Sequence, residues 1–222
     1  WATSIDLKTG RPVENPEKRT SSTQNTKDIC PSAMGGKNQR PVSFSPKTGL
    51  FYVPANNLCM DYEGVEVKYQ AGQPYVGAIV LSKAGPGGNR GEFLAWDPVA
   101  GKKVWGIKEN LSAWGGALTT AGDVAFYGTM EGWLKAVDAK TGNVLWKFKT
   151  PSGIIGNPMT YVGPDGKQYV AIMSGSGGWS GVGAAAEMGL EDPTAGLGAI
   201  GAFTDLANFS NQGGVLTVFS LP

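Results

Sequence analysis

A chain of 222 residues with 34 glycines, 14 prolines, 7 tryptophans and 17% charged residues has the makeup of an all-β protein with many tight turns. Glycine opens positive φ at turns, and indoles fill the space between sheets. A formal net charge of +1 and the lack of any basic block argue against a nucleic-acid partner, no apolar run is long enough to span a membrane, and the absence of histidine excludes His-based triads and His-ligated metal sites within this chain.

In chain order, the first unit is SIDLKTGRPV at 4–13, with Asp6, Thr9 and Gly10 in a turn between two short strands. Residues 14–40 do not read as blade strands. This stretch holds Cys30 and Asn38; on the residues alone Asn38 is a turn cap, and Cys30 and Cys59 are free thiols or one bridge. SFSPKTGLFYV at 43–53 repeats the Lys-Thr-Gly turn. After Cys59, Asp61 and Glu63 are read as a solvated turn rather than a metal site.

AWDPVAGKKVW (95–105) and AVDAKTGNVLW (136–146) then carry the same arrangement, with Asp97 and Asp138, and Trp105 and Trp146, each 41 residues apart. A period of about 40–45 residues is that of a β-propeller blade. In each copy an aspartate accepts backbone N–H bonds across a turn that glycine closes, and the tryptophan packs on a neighbouring blade. Trp105, Trp133 and Trp146 are therefore read as inter-blade core. Trp114 and Trp179 break the spacing and sit beside paired glycines, where close approach to a planar group makes sense.

Further strands are expected in 123–137 and 166–175, with turns at Met130–Gly132 and Gly163–Gly166, and a short helix around Gly198–Leu206. SGSGGW at 174–179 lacks the lysine of a phosphate-binding loop. The whole gives roughly three blades plus parts, so the chain is expected to be a piece of a larger ring.

The repeat pattern, together with KDICPSAMGGKNQRP (27–41), NNLCMDYEG (56–64), AWGGALTTAGDVAFYGTMEGWLKA (113–136), PSGIIGNPMTYVGPDGKQYVAIMSGSGGW (151–179) and DPTAGLGAIGAF (192–203), resembles the quinoprotein alcohol dehydrogenase family. The match is to the C-terminal part of the methanol dehydrogenase large subunit, in its lanthanide-dependent branch, and it covers essentially the whole chain. The resemblance implies an eight-bladed propeller whose N-terminal blades are outside this chain. It implies the cofactor pyrroloquinoline quinone (PQQ), with a lanthanide ion, or alternatively calcium, held by ligands outside this segment. It further implies methanol or another short primary alcohol as substrate, a cytochrome c acceptor, a periplasmic location and a homodimer.

By the same resemblance Cys30 and Cys59 are joined in a disulfide. Asn38, Trp114, Gly178 and Trp179 are cofactor-binding residues, with Trp179 walling the substrate pocket. No catalytic residue and no metal ligand is expected in this segment, which alone should not turn over. The competing reading is a non-catalytic tryptophan-docked scaffold that binds a protein partner. The contexts of Cys30, Asn38 and Gly178–Trp179 speak against it, because a scaffold has no need of them.

Overall fold

Asp6, Asp97 and Asp138 each reverse the chain by the same local chemistry. Asp138 Oδ1 accepts from the N–H groups of Lys140 (3.0 Å) and Thr141 (2.8 Å) and from the Thr141 hydroxyl (2.9 Å). Asp97 Oδ1 accepts from Val99 and Ala100, both at 2.9 Å, and Asp6 Oδ1 from Lys8 at 2.8 Å. Gly10, Gly101 and Gly142 close these turns at φ of +71°, +62° and +76°, a region that costs other residues steric strain.

The structure, a computed structural model, describes residues 1–69, 71–72, 77–178, 202–203 and 206–220. Strands β1 (Ala2–Ile5) and β2 (Pro12–Glu14) form a hairpin around the Asp6 turn. A four-stranded antiparallel sheet follows, in the order β4 (Ser43–Ser45), β5 (Leu50–Asn56), β8 (Gly91–Asp97), β9 (Lys102–Glu109). The next sheet runs β10 (Ala117–Thr119), β11 (Val124–Gly128), β12 (Trp133–Asp138), β13 (Val144–Lys149). A three-stranded sheet closes the series with β14 (Met159–Val162), β15 (Gln168–Ser174) and β16 (Val215–Ser220). Among the described residues the three expected blades are thus two four-stranded sheets and one three-stranded sheet, with the hairpin as an extra part.

One buried cluster joins the two four-stranded sheets: Tyr52, Phe93 and Ala95 of the first meet Ala125, Tyr127 and Val137 of the second. The Phe93 and Tyr127 rings stack with centroids 3.9 Å apart. Trp105 docks the same interface. Its Nε1 donates to Ala139 O at 3.2 Å, and its ring lies 2.8 Å from where a Cβ on Gly142 would stand. Trp105 and Trp146 hold equivalent registers, opposite Ala95 and Ala136, each next to an irregularity in the ladder. Trp146 meets Phe219 of β16 edge-on at 5.0 Å. Trp133 is half-buried, and the ammonium groups of Lys147 and Lys149, on the adjacent strand β13, lie over its ring at 4.8 and 5.5 Å.

The stretch 14–40, which does not read as blade strands, contains β3 (Thr26–Ile29), outside the three blade sheets: it pairs with β6 (Leu58–Gly64), which pairs with β7 (Ala78–Ala84), in a separate sheet. Its local composition does not favour a strand; long-range ties to β6 do, described below. The expected helix around 198–206 falls mainly outside the described residues, and the described helix α1 is one turn at Leu206–Phe209.

Candidate functional site

Cys30 and Cys59 are joined by a disulfide across 29 residues of sequence, which fastens the end of β3 to β6. Beside it Asp61 lies within strand β6, not in a solvated turn, as does Glu63. Asp61 Oδ1 accepts from the Asp28 N–H at 2.8 Å and from Lys83 Nζ at 2.7 Å, and the same ammonium reaches Asp28 at 2.6 Å. Burial pushes the Asp61 carboxyl up, but the bonds from Lys83 and Asp28 together with the nearby lysine charges hold it below the ordinary value. This is an ion-pair staple: among the described residues no group of three or more His, Cys, Asp or Glu side chains could hold a metal.

The predicted cofactor residues meet elsewhere. Asn38, Trp114 and Gly178 line one cavity of about 320 Å³, with Gln39, Arg40 and Pro41, and with Ile155, Asn157 and Gly177 across from them. That volume lies at the lower end of small-molecule sites. Trp179 lies outside the described residues. A larger groove of about 560 Å³, bordered by Trp1, Arg19 and Met60, gathers none of the predicted residues.

Glycines bring these loops together. A Cβ on Gly115 would stand 3.1 Å from Gly156 O and 3.2 Å from Gly128 O, and one on Gly116 would meet Asn157 Oδ1 at 2.3 Å and Pro41 Cγ at 2.8 Å. The bare backbone after Trp114 therefore threads between the 128, 156 and 41 segments, and Ala117 N–H bonds Pro41 O at 3.1 Å. Gly178 takes φ of +57° with Ile155 nearby. Asn38 is exposed, and its Oδ1 accepts from the Gln39 N–H at 2.8 Å. It thus bonds within its own turn and also lines the cavity.

Trp114 is half-buried against Phe203, with ring centroids 5.5 Å apart. The Arg40 guanidinium lies over the Trp114 ring at 4.8 Å. Arg40 is 3% exposed, and none of its Nε, Nη1 and Nη2 atoms has a hydrogen-bond partner among the described residues. The Trp114 indole N–H is buried as well, and has no hydrogen-bond partner among the described residues. Burial pulls the Arg40 pKa down to about 10, still leaving it cationic at neutral pH. Sequence reasoning missed Arg40. Its segment was singled out, but arginine is usually exposed and nothing local marks this one as buried.

A half-buried indole, an exposed amide and a buried guanidinium without a hydrogen-bond partner among the described residues thus border one cavity. An antiparallel, tryptophan-docked sheet series around such a cavity defines a segment of a PQQ-type β-propeller. Residues 106–170 match the PQQ family described as glucose/ethanol/alcohol dehydrogenase, beta-propeller domain. The chain is 58% identical, over its full length, to 38% of a lanthanide-dependent methanol dehydrogenase of Methylorubrum extorquens. It is 51% identical, over 98% of its length, to 35% of methanol dehydrogenase (cytochrome c) subunit 1 of Methylobacterium organophilum. Among solved structures it superposes on a europium-containing methanol dehydrogenase with a TM-score of 0.91, at 55% identity, covering 100% of this chain and 39% of that one. The chain belongs to the quinoprotein alcohol dehydrogenase family, and spans under two-fifths of the length of these relatives.

Proposed function

We propose that this chain is the C-terminal portion of a periplasmic PQQ- and metal-dependent methanol dehydrogenase, acting on methanol and other short primary alcohols. The remainder of the propeller would supply the other wall of the cofactor chamber and all metal ligands. The names of the relatives support a lanthanide as the metal and a cytochrome c as electron acceptor; calcium is the alternative metal by family resemblance alone. A homodimer follows from the family alone. The Cys30–Cys59 disulfide agrees with an oxidising compartment.

The observation that carries this reading is the convergence of Asn38, Trp114 and Gly178 on one cavity. The residues fit a planar acid: Trp114 offers a rigid indole, Asn38 an amide donor without charge, and Arg40 a buried cation without a hydrogen-bond partner among the described residues. When bound, the quinone supplies the two-electron acceptor for alcohol oxidation and the metal ion supplies Lewis acidity. The chain's own part is to bind and orient. Trp114 fixes a plane, Asn38 directs its amide N–H toward a polar edge, and Gly178 allows backbone close to the ring. Trp179, one residue further, would narrow the entrance so that only small alcohols pass.

Acid extraction of the purified full-length enzyme should release PQQ, and a dye-linked assay should report methanol oxidation. An enzyme that carries no PQQ after expression with the quinone supplied overturns the proposal. The 222-residue chain alone should neither turn over nor retain PQQ through gel filtration.

A further inference from the structure

The cavity's lining among the described residues contains one charged side chain, Arg40, and no carboxylate. A buried cation without a counter-charge is unfavourable, because desolvation is not offset by Coulomb attraction or hydrogen bonds. Its guanidinium lies over the Trp114 ring at 4.8 Å, which offsets part of that cost, while its carbonyl accepts from Lys37 Nζ at 2.7 Å, a second cation that adds to the cost and leaves the local field positive. Both the planar fork and the local field therefore favour an anionic oxygen pair entering from the cavity.

We propose that Arg40 is the anion anchor of this cavity, using its unpaired guanidinium N–H groups to bind a carboxylate of a planar aromatic polyacid that lies beside the Trp114 indole. This rests on the functional reading above and extends it: the polyacid is PQQ, and Arg40 recognises a carboxylate rather than the quinone oxygens. A protein carboxylate from elsewhere in the enzyme has the same chemistry, and the test separates the two sources.

Full-length enzyme is prepared without PQQ as wild type, R40Q and R40K. Each is titrated by equilibrium dialysis with PQQ and with PQQ trimethyl ester, which lacks the carboxylates. Melting of the cofactor-free proteins is recorded in parallel. R40Q should weaken PQQ binding by roughly tenfold to a hundredfold, bind the ester as wild type does, and melt no lower than wild type without cofactor. R40K, which keeps the charge but loses the fork, should fall between them for PQQ, and it carries the comparison if R40Q does not accumulate. Equal affinity of wild type and R40Q for PQQ overturns the proposal. So does a parallel loss for PQQ and its ester. A lowered melt of cofactor-free R40Q with unchanged PQQ affinity assigns the partner to a protein carboxylate and also overturns it. A wild type that binds no PQQ sinks the functional reading instead.

Discussion

Gly142 to alanine separates the chemistry that closes a turn from the chemistry that docks two blades. At φ of +76° the substitution costs about 1–2 kcal/mol for left-handed backbone. The new methyl would also stand 2.8 Å from Cδ2 and Cε3 of Trp105. That indole cannot easily retreat, being held by its bond to Ala139 O at 3.2 Å and by the Tyr52 and Phe93 rings at 5.9 and 5.8 Å. Overpacking against a fixed ring adds about 1–3 kcal/mol, so G142A should cost about 2–5 kcal/mol in all. Gly101 is the internal control: it closes the equivalent turn at φ of +62° but has open space where a Cβ would go. G101A should therefore show the backbone cost alone, about 1–2 kcal/mol. Urea unfolding of the full-length enzyme, followed by tryptophan fluorescence, compares the two. Adding W105L should shrink the excess of G142A over G101A, since the two residues share one contact. Equal losses in G101A and G142A, or an excess that survives W105L, would refute indole-on-glycine docking.

Removing the Cys30–Cys59 bond with C30S/C59S should lower stability by about 3–4 kcal/mol on the loop-entropy model for a separation of 29 residues, read by melting with and without reductant. Glu109 Oε1 accepts from both Tyr127 OH and Lys135 Nζ at 2.6 Å, tying β9 to β11 and β12. E109Q should cost about 2–4 kcal/mol, and K135M added to it should restore much of that loss by removing the stranded charge. Burial, and then the Glu109 charge and hydrogen bond, push the Tyr127 phenol above its usual 10.0. Its neutral form is thus favoured by folding, so its contribution is complete below pH 10 and is lost as pH rises beyond it. A pH–stability profile of Y127F should lack that alkaline decline. Asp61 has the opposite sign: held below 3.8, it contributes above that pH and loses its contribution as the solution is acidified further. D61N should flatten the acid limb.

What the sequence made legible was local. An aspartate, a Thr-Gly pair and a tryptophan at fixed offsets specify a turn whose bonds span only a few residues, and the turns at Asp6 and Asp138 follow from those offsets directly. The register of Trp105 and Trp146 follows from the same period. The pairing of Cys30 with Cys59 came from resemblance, since two cysteines alone leave free thiols and a bridge equally open. Strand β3 was illegible because Asp28 and Ile29 gain their strand partners from β6, about thirty residues on. Arg40 was illegible for a related reason. It packs against Trp114, more than seventy residues on, whereas side-chain type predicts exposure there.

The division of labour between sheets and loops explains why the site residues lie off the repeat. In the two four-stranded sheets, inward positions such as Tyr52, Phe93, Tyr127 and Val137 are already committed to sheet-to-sheet packing. A ligand group there would open a cavity in a close-packed core. The chain between β9 and β10 escapes that constraint: it leaves the ladder at Glu109 and re-enters at Ala117. Gly115 and Gly116 let it pass within van der Waals reach of three other segments without a side chain in the way. Trp114, immediately before that pair, also contacts the Phe203 ring and the Arg40 guanidinium. On the proposed reading, a ring so held offers a planar partner one position, the preorganisation that a cofactor site needs. Alanine at Gly116, 2.3 Å from Asn157 Oδ1, should loosen that grip while leaving the neighbouring sheets intact.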